Sequence, residues 1–442
     1  MNIIIVGAGD IGFHLCDKLI EDGNNCSIIE INPELASKAR EHLDAAVFTG
    51  SGTSYKIQKL ARIDKADVLV AVTQNDDLNI VACMMAKRQG VGTVIARIRN
   101  PEYSQMNGNI FGIDLIIHPE MEVAKAVSHL VRQSQATDYY EFENGKIKVV
   151  GIRLDDNFNH YGKSLKLLAE YFQDIPLRIL AIKRYEKTII PNGDDIFIKG
   201  DQIFVISSHN YLKDTLIFFG KVNTKIDDVM IVGGGLVGQY TAAELEKKIN
   251  VKIIEADIRK AELLAENLKR SLVIHADGTD IDLLLSEDLS EMDEFIAVSG
   301  DDETNIITSM IAMQMKVPRR IIMVKNIDYL RMSNALNVDS ILCKPLISVN
   351  VIRQFIRRKK QKSFAEIPGC DAVIIELTAD SKSKICKKQL SELNIPRNVL
   401  FGAVLKRDNT FEIPKGSTRI QPGDRVIVFY LPGKIKEIEN LF

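Results

Sequence analysis

The sequence predicts an α/β chain in which two doubly wound parallel sheets follow one another, each trailed by a small α+β lobe. Three observations carry that prediction. The apolar run Ile3-Ile4-Ile5-Val6 enters the glycine spacing Gly7-x-Gly9-x-x-Gly12. The same run and spacing return at Val229 to Val232 and at Gly233, Gly235 and Gly238, a shift of 226 positions. Around both, short apolar runs alternate with helix-length segments, as strands do when helices cross over between them.

The opening run has no polar break and reads as a strand buried on both faces. Gly7 permits the tight turn out of it, Gly9 lets backbone approach a pyrophosphate, and Gly12 lets the next helix lie close on the sheet. Ile11, Leu15, Leu19 and Ile20 then share one helical face, with Gly23 at the C-terminal cap. A second strand, Cys26 to Ile29, ends on Glu30, 18 residues past Gly12, close to where a Rossmann-like fold places the acid that takes ribose hydroxyls. A 2′-phosphate would be repelled there, and Ile31-Asn32-Pro33 offers no arginine to hold it, so the pattern favours NAD over NADP. The alternative is a solvated acid at a strand end; strand, glycines, helix, strand and acid in that order favour the ribose role.

Strands follow at Val47-Phe48, Val68 to Val72, Val94 to Ala96 and Leu115 to Ile117. The second copy supplies Lys252 to Ile254 ending on Glu255, then Leu272 to Ile274, Phe295 to Val298, Ile321 to Val324 and Ile341-Leu342. Gly52-Thr53 recurs as Gly278-Thr279, Asn79 as Asn305 and Tyr103 as Tyr329, all at the same shift of 226, which implies duplication. Ligands in such sheets sit beyond the carboxyl ends of the strands. Thr49 to Thr53, Thr73 to Asp77 and Arg97 to Arg99 lie there in the first copy, with His275 to Thr279, Ser299 to Asp302 and Lys325 in the second.

The trailing lobes are duplicated too. Ile190-Pro191-Asn192-Gly193 matches Ile413-Pro414-Lys415-Gly416, and Gly200-Asp201 matches Gly423-Asp424, at a shift of 223. The first reads strand (148–154), helix (163–172), strand (178–183), a Pro/Gly turn and a further strand. The expected domains are therefore 1–134 and 223–362, Rossmann-like, and 135–222 and 363–442, small α+β. Helical connectors, 123–133 and 349–362, join the lobes. The apolar face of the first either serves a neighbouring subunit or packs on its own sheet. The second ends in Arg357-Arg358-Lys359-Lys360-Gln361-Lys362, read first as a solvated helix end and second as a patch for an acidic partner or anionic lipid.

Composition excludes several classes. With 57 Lys plus Arg against 59 Asp plus Glu, the net charge of −2 gives no bulk pull towards nucleic acid. No apolar run approaches the 18 or so residues of a membrane span, and no secretory signal precedes the glycine turn. Six cysteines without a CxxC pair point to a reducing cytoplasm, and seven dispersed histidines offer no metal-ligand spacing. No catalytic residue and no metal is expected.

The order of these features resembles the RCK, or KTN, domain family: GxGxxG, an acid after strand two, Gly-Thr after strand three, Thr73, Asp76 and Asn79 after strand four, an arginine at strand five, and a small β-rich lobe. Two such units in one chain are similar to the TrkA family, the peripheral regulatory subunits of Trk potassium-uptake systems. The resemblance implies a cytoplasmic protein on the inner face of the membrane that binds NAD(H), with ATP or ADP as further ligands. It implies a homo-oligomeric, tetrameric ring beneath a TrkH- or TrkG-like potassium transporter whose conductance it gates. Carried onto this sequence, first-copy contacts are Gly7, Gly9, Asp10, Ile11, Glu30, Thr73 and Arg97. Second-copy contacts are Gly233, Gly235, Leu236, Val237, Glu255, Asp277, Ser299 and Lys325. Ser51 stands where the family often has the aspartate that Asp277 retains, and Met323 stands in the place of Arg97.

An NAD-dependent oxidoreductase is the competing class, because the same fold serves hydride transfer. That chemistry needs a substrate pocket and a general acid or base. Only about 80 residues of small-lobe sequence follow each Rossmann unit, and no His-Asp or Lys-Tyr pairing recurs, so a ligand-binding regulator is favoured. A regulator of another cation channel or transporter with such domains differs in partner, not in mechanism.

Overall fold

The computed structural model describes residues 1–442 except 101, 104–110, 133–135, 143–144, 186, 222–224, 337, 358–362, 368–371, 397, 432–436 and 439. The first sheet contains β1 (Asn2–Val6), β2 (Asn25–Glu30), β3 (Ala46–Thr49), β4 (Val68–Ala71), β5 (Thr93–Arg97) and β6 (Leu115–Ile117) in the order β3-β2-β1-β4-β5-β6. All neighbours are parallel, as the alternation of runs and helices predicts. The sequence reverses direction across the sheet between β1 and β4. Ile3, Ile5, Val68, Val70 and Ile95 are almost completely buried on one face and Ile4, Leu69 and Val94 on the other, which is why these strands read as unbroken apolar runs.

A small antiparallel lobe follows, with β7 (Asp138–Phe142), β8 (Ile147–Arg153), β9 (Leu177–Arg184), β10 (Lys187–Ile189) and β11 (Gln202–Ser208) in the order β10-β9-β11-β8-β7. The second parallel sheet repeats the first: β12 (Asp228–Val232), β13 (Asn250–Glu255), β14 (Leu272–His275), β15 (Glu294–Ala297), β16 (Arg319–Val324) and β17 (Ser340–Cys343) lie as β14-β13-β12-β15-β16-β17. A second small lobe closes the chain with β18 (Ser363–Ile367), β19 (Ala372–Thr378), β20 (Val399–Leu405), β21 (Phe411–Glu412) and β22 (Arg425–Tyr430). Sequence reading missed β7, β10 and the helix Leu212–Phe218 of the first small lobe. β7 is Asp-Tyr-Tyr-Glu-Phe, without the alternation that marks a half-buried strand.

The two small lobes share one core. Leu180, Phe204 and Ile206 of the first pack with Ile374, Ala403, Ile427 and Phe429 of the second. Arg178 donates to the carbonyls of Phe401, at 3.2 Å, and Pro414. This accounts for continuous burial along strands whose other face is already covered.

The linker helices are exchanged. The second, Lys344–Arg357, belongs to the compact unit formed by Met1–Val123 and Cys343–Ile356. Val349, Ile352 and Ile356 enter the same core as Ile3, Ile5, Leu15 and Val70. From Ala124 on, the first, Pro119–Arg132, belongs to the other unit. There Arg319 of β16 donates to the Leu130 carbonyl at 2.9 Å and Arg132 pairs with Glu244. The expectation that the first connector packs on its own sheet holds only as far as Val123, the last of its residues in that sheet's compact unit. Its apolar periodicity reports that the face is buried but not which sheet buries it. Of the basic run 357–362, residues 358–362 lie outside the described residues.

Candidate functional site

Each parallel sheet carries its glycine turn at the carboxyl end of its first strand. Gly7 takes φ +104° and Gly233 φ +107°, a region that side-chain-bearing residues rarely adopt. A Cβ on Gly12 would lie 1.9 Å from the Gly7 carbonyl oxygen, and one on Gly238 the same distance from that of Gly233. Each following helix can therefore start so near its strand only on glycine. Gly9 and Gly235 differ, because a Cβ on either meets nothing within 4 Å. Both are helix N-caps with no side-chain capping bond, and the first-turn amides behind them have no intrahelical acceptor. Two open cradles with amide donors and a positive helix end result, the physical requirement for a phosphate.

Among the residues expected to make contact, Asp10 is exposed and Leu236 is 37 % exposed, whereas Ile11 and Val237 are buried at 7 % and 4 %. Ile11 and Val237 can therefore offer a ligand only their amides. Glu30 Oε2 accepts the Ala8 amide at 2.5 Å and Oε1 the Asn32 amide at 2.7 Å. Glu255 repeats this with Gly234 and Asp257 at 2.8 and 2.9 Å. Each acid thus latches the glycine turn to the next helix entry, a role that spacing alone did not show. A carboxylate has about four lone-pair sites, so acceptor capacity for ribose hydroxyls remains. Glu30 is only 7 % exposed while Glu255 is half-buried.

Beyond β4 and β15, two asparagines clip the pocket wall together. Asn79, fully buried, accepts the Thr73 amide at 3.0 Å and its hydroxyl at 2.7 Å, and donates to the Arg97 carbonyl at 2.8 Å. Asn305 does the same between the Ser299 amide and the Met323 carbonyl, both at 2.8 Å. In the sequence these asparagines mark the repeat, and Asn79 also belongs to the loop that carries the family resemblance; their part in fixing Thr73 and Ser299 appears in the structure.

The two pockets differ in charge. Arg97 is half-buried, its Nη1 reaches the Thr73 carbonyl at 3.5 Å, and its buried Nε has no partner among the described residues. Burial draws the Arg97 guanidinium below its usual range, opposed by the carboxylates of Glu120, Asp76 and Asp10. Met323 is 3 % exposed and lies in the apolar interior. Lys325 is exposed, with Nζ donating to the Gly300 carbonyl. Asp277 accepts the Thr279 amide at 2.9 Å and hydroxyl at 2.8 Å, bonds that hold its carboxyl below the ordinary range. Ser51 occupies the matching place, bonded to the Thr53 hydroxyl at 2.9 Å. Among the described residues no group of His, Cys, Asp or Glu is arranged to hold a metal, and no helix is long and apolar enough to cross a membrane.

Comparison with solved structures places this architecture. The GsuK RCK domain superposes with a TM-score of 0.63 at 16% identity, covering 100% of this chain and 94% of that one. The GsuK channel bound to NAD gives 0.62 at 16% identity, covering 100% and 78%. Fold and paired glycine turns define a protein of tandem RCK architecture. The TrkA-N domain family matches residues 3–119 and 229–344, and the TrkA-C domain family residues 374–442. Trk system potassium uptake protein TrkA homolog 1 of Methanosarcina mazei is 32% identical, covering 100% of both chains. Trk system potassium uptake protein TrkA of Haemophilus influenzae is 31% identical, covering 100% of this chain and 98% of its own. The chain belongs to the TrkA family.

Proposed function

We infer that this chain is the cytoplasmic, peripheral regulatory subunit of a potassium-uptake system. It binds NAD(H), with ATP or ADP as competing ligands, at both glycine turns and gates a membrane potassium transporter. The observation that carries the reading is the pair of open spaces over Gly9 and Gly235, each backed by a helix N-terminus and flanked by an acid. Gly7, Asp10, Ile11, Thr73 and Arg97 complete the first site. Gly233, Leu236, Val237, Asp277, Ser299 and Lys325 complete the second. The bound cofactor acts as a signal, and no residue of this chain is assigned a catalytic step.

The mechanism is linkage. A nucleotide shifts the assembly only by its differential affinity for two conformations. A coupling of about 1–3 kcal/mol changes transport several-fold to a hundredfold. The four lobes 1–134, 135–222, 223–362 and 363–442 are the proposed moving parts, and a homo-tetrameric ring the proposed assembly. The test is to purify the chain, identify the nucleotide that co-purifies, measure the mass of the assembly, and follow potassium flux in vesicles holding the transporter with and without it. Nucleotide-dependent flux is expected. Steady NADH turnover with a small substrate, or flux indifferent to the chain, overturns the reading.

A further inference from the structure

The first nucleotide site stands at one end of a line of buried charge that the repeat does not duplicate. Among the described residues, the side chain of Arg97, at the end of β5, has only the long bond to the Thr73 carbonyl, and its buried Nε has no partner there. Among the described residues it forms no ion pair, yet Glu120 is the acid that most favours its charge. Glu120 opens the first linker helix and is 6 % exposed. Its Oε1 accepts a hydrogen bond from Lys344 Nζ at 2.7 Å, and its buried Oε2 has no partner among the described residues. Burial alone would push the Glu120 carboxyl up; the Lys344 ammonium, then a backbone hydrogen bond at Glu120 and last Arg97 bring it below the usual carboxylate range.

Lys344 is the first residue of the second linker helix and directly follows β17. Three acidic or basic positions of the first copy become apolar in the second at the shift of 226: Asp10 to Leu236, Arg97 to Met323 and Glu120 to Leu346. The second copy thus lacks the cation and both acids of this place. The line phosphate, Arg97, Glu120, Lys344 alternates in sign, so the charge that Glu120 shows towards Arg97 depends on Lys344.

We propose that Lys344 tunes the anion affinity of the first nucleotide site through Glu120 and Arg97, and that the second site has no counterpart. The inference rests on the nucleotide reading of that site. With Lys344 in place Glu120 is neutralised and Arg97 is available to the pyrophosphate. With Lys344 withdrawn the bare carboxylate competes for Arg97 and repels the ligand. Because coupling is reciprocal, a pyrophosphate on Arg97 strengthens the hold of Lys344 on Glu120, and so steadies the start of the second linker. Glu120 and Lys344 are positioning residues here; neither is assigned contact with the nucleotide.

The experiment uses the full chain with Gly235→Val, which leaves only the first site open, titrated with NADH and, by competition, with uncharged adenosine. Lys344→Met is expected to weaken NADH about three- to tenfold, the scale of one unit charge acting through a neighbouring pair in partly screened protein. Glu120→Gln is expected to tighten it by a similar factor, the double variant to return near the starting value, and Lys344→Arg to leave it unchanged. Adenosine should stay within about twofold throughout, because it carries no charge for Arg97 to hold. In the Gly9→Val chain, which isolates the second site, none of these substitutions should matter. Lys344→Met and Glu120→Gln moving NADH in the same direction, or adenosine moving with NADH, would mean that the pair merely braces the fold and would overturn the proposal, as would no change in either variant. An unsubstituted chain that binds no NADH overturns the nucleotide reading itself.

Discussion

Arg353 donates to Asp22 twice, from Nε to Oδ2 at 3.1 Å and from Nη2 to Oδ1 at 2.8 Å. Arg353 is 2 % exposed and stands on the second linker helix; Asp22 closes the helix that begins at the first glycine turn. A residue 331 positions away in sequence therefore fixes the far end of the helix whose near end carries the first glycine turn. Removing one side of a buried pair leaves an uncompensated charge, which costs about 3–5 kcal/mol. Asp22→Ala should destabilise the chain by about 3 kcal/mol, since Asp22 retains slight exposure. Denaturant unfolding measures this, and a change below about 1 kcal/mol would place the linker's hold in its apolar contacts alone.

The latch at Glu30 gives a second expectation. Glu30→Ala removes the acceptor of two backbone amides as well as the proposed ribose contact, and should cost roughly 1.5–3 kcal/mol of NAD(H) binding at the first site. Titration calorimetry in the Gly235→Val chain reads this directly; unchanged affinity would strike Glu30 from the site.

The glycines separate binding from folding. Gly9→Val places its side chain in open space, so the first site should lose nucleotide while the melting temperature holds. Gly12→Ala drives a methyl to 1.9 Å from the Gly7 oxygen and should lower the melting temperature by several degrees or prevent folding. If Gly9→Val binds nucleotide as well as the parent does, the open space over Gly9 is not the phosphate cradle.

Glu294 supplies a pH dependence. It is completely buried at the start of β15, 3.6 Å from the Arg319 Nε. Burial pushes its carboxyl up to about 7, against the pull of Arg319 and with Asp339 and Asp293 adding to the rise. A folded value above the unfolded one means the native state binds the extra proton, so stability falls as pH rises between about 4.5 and 7, and the penalty is constant above that. Glu294→Gln should flatten this part of the stability-against-pH curve, checked by thermal melts from pH 4.5 to 8; an unchanged slope would assign it to other groups.

Much of the fold was legible because its signals are local. Unbroken apolar runs marked β1, β4 and β5, since strands covered on both faces have no polar positions to interrupt them. The glycine spacing marked both turns, since only glycine tolerates the φ at Gly7 and Gly233 and the approach at Gly12 and Gly238. β7 escaped because its alternation is absent, and the asparagine clips escaped because a buried Asn79 looks in sequence like any polar residue on a helix.

The sequence by itself determined two copies of a glycine turn with an acid beyond it, the small lobes after them, and the loss of Arg97 from the second copy. These are properties of chain conformation and of residues near one another in sequence. Only the tertiary structure decided that Lys344 meets Glu120, that Arg353 meets Asp22, and that the second linker helix packs on the first sheet. An apolar stripe on a helix states that a face must be buried, but many sheets satisfy that need equally. The choice among them is made by contacts hundreds of residues apart, which no local pattern encodes.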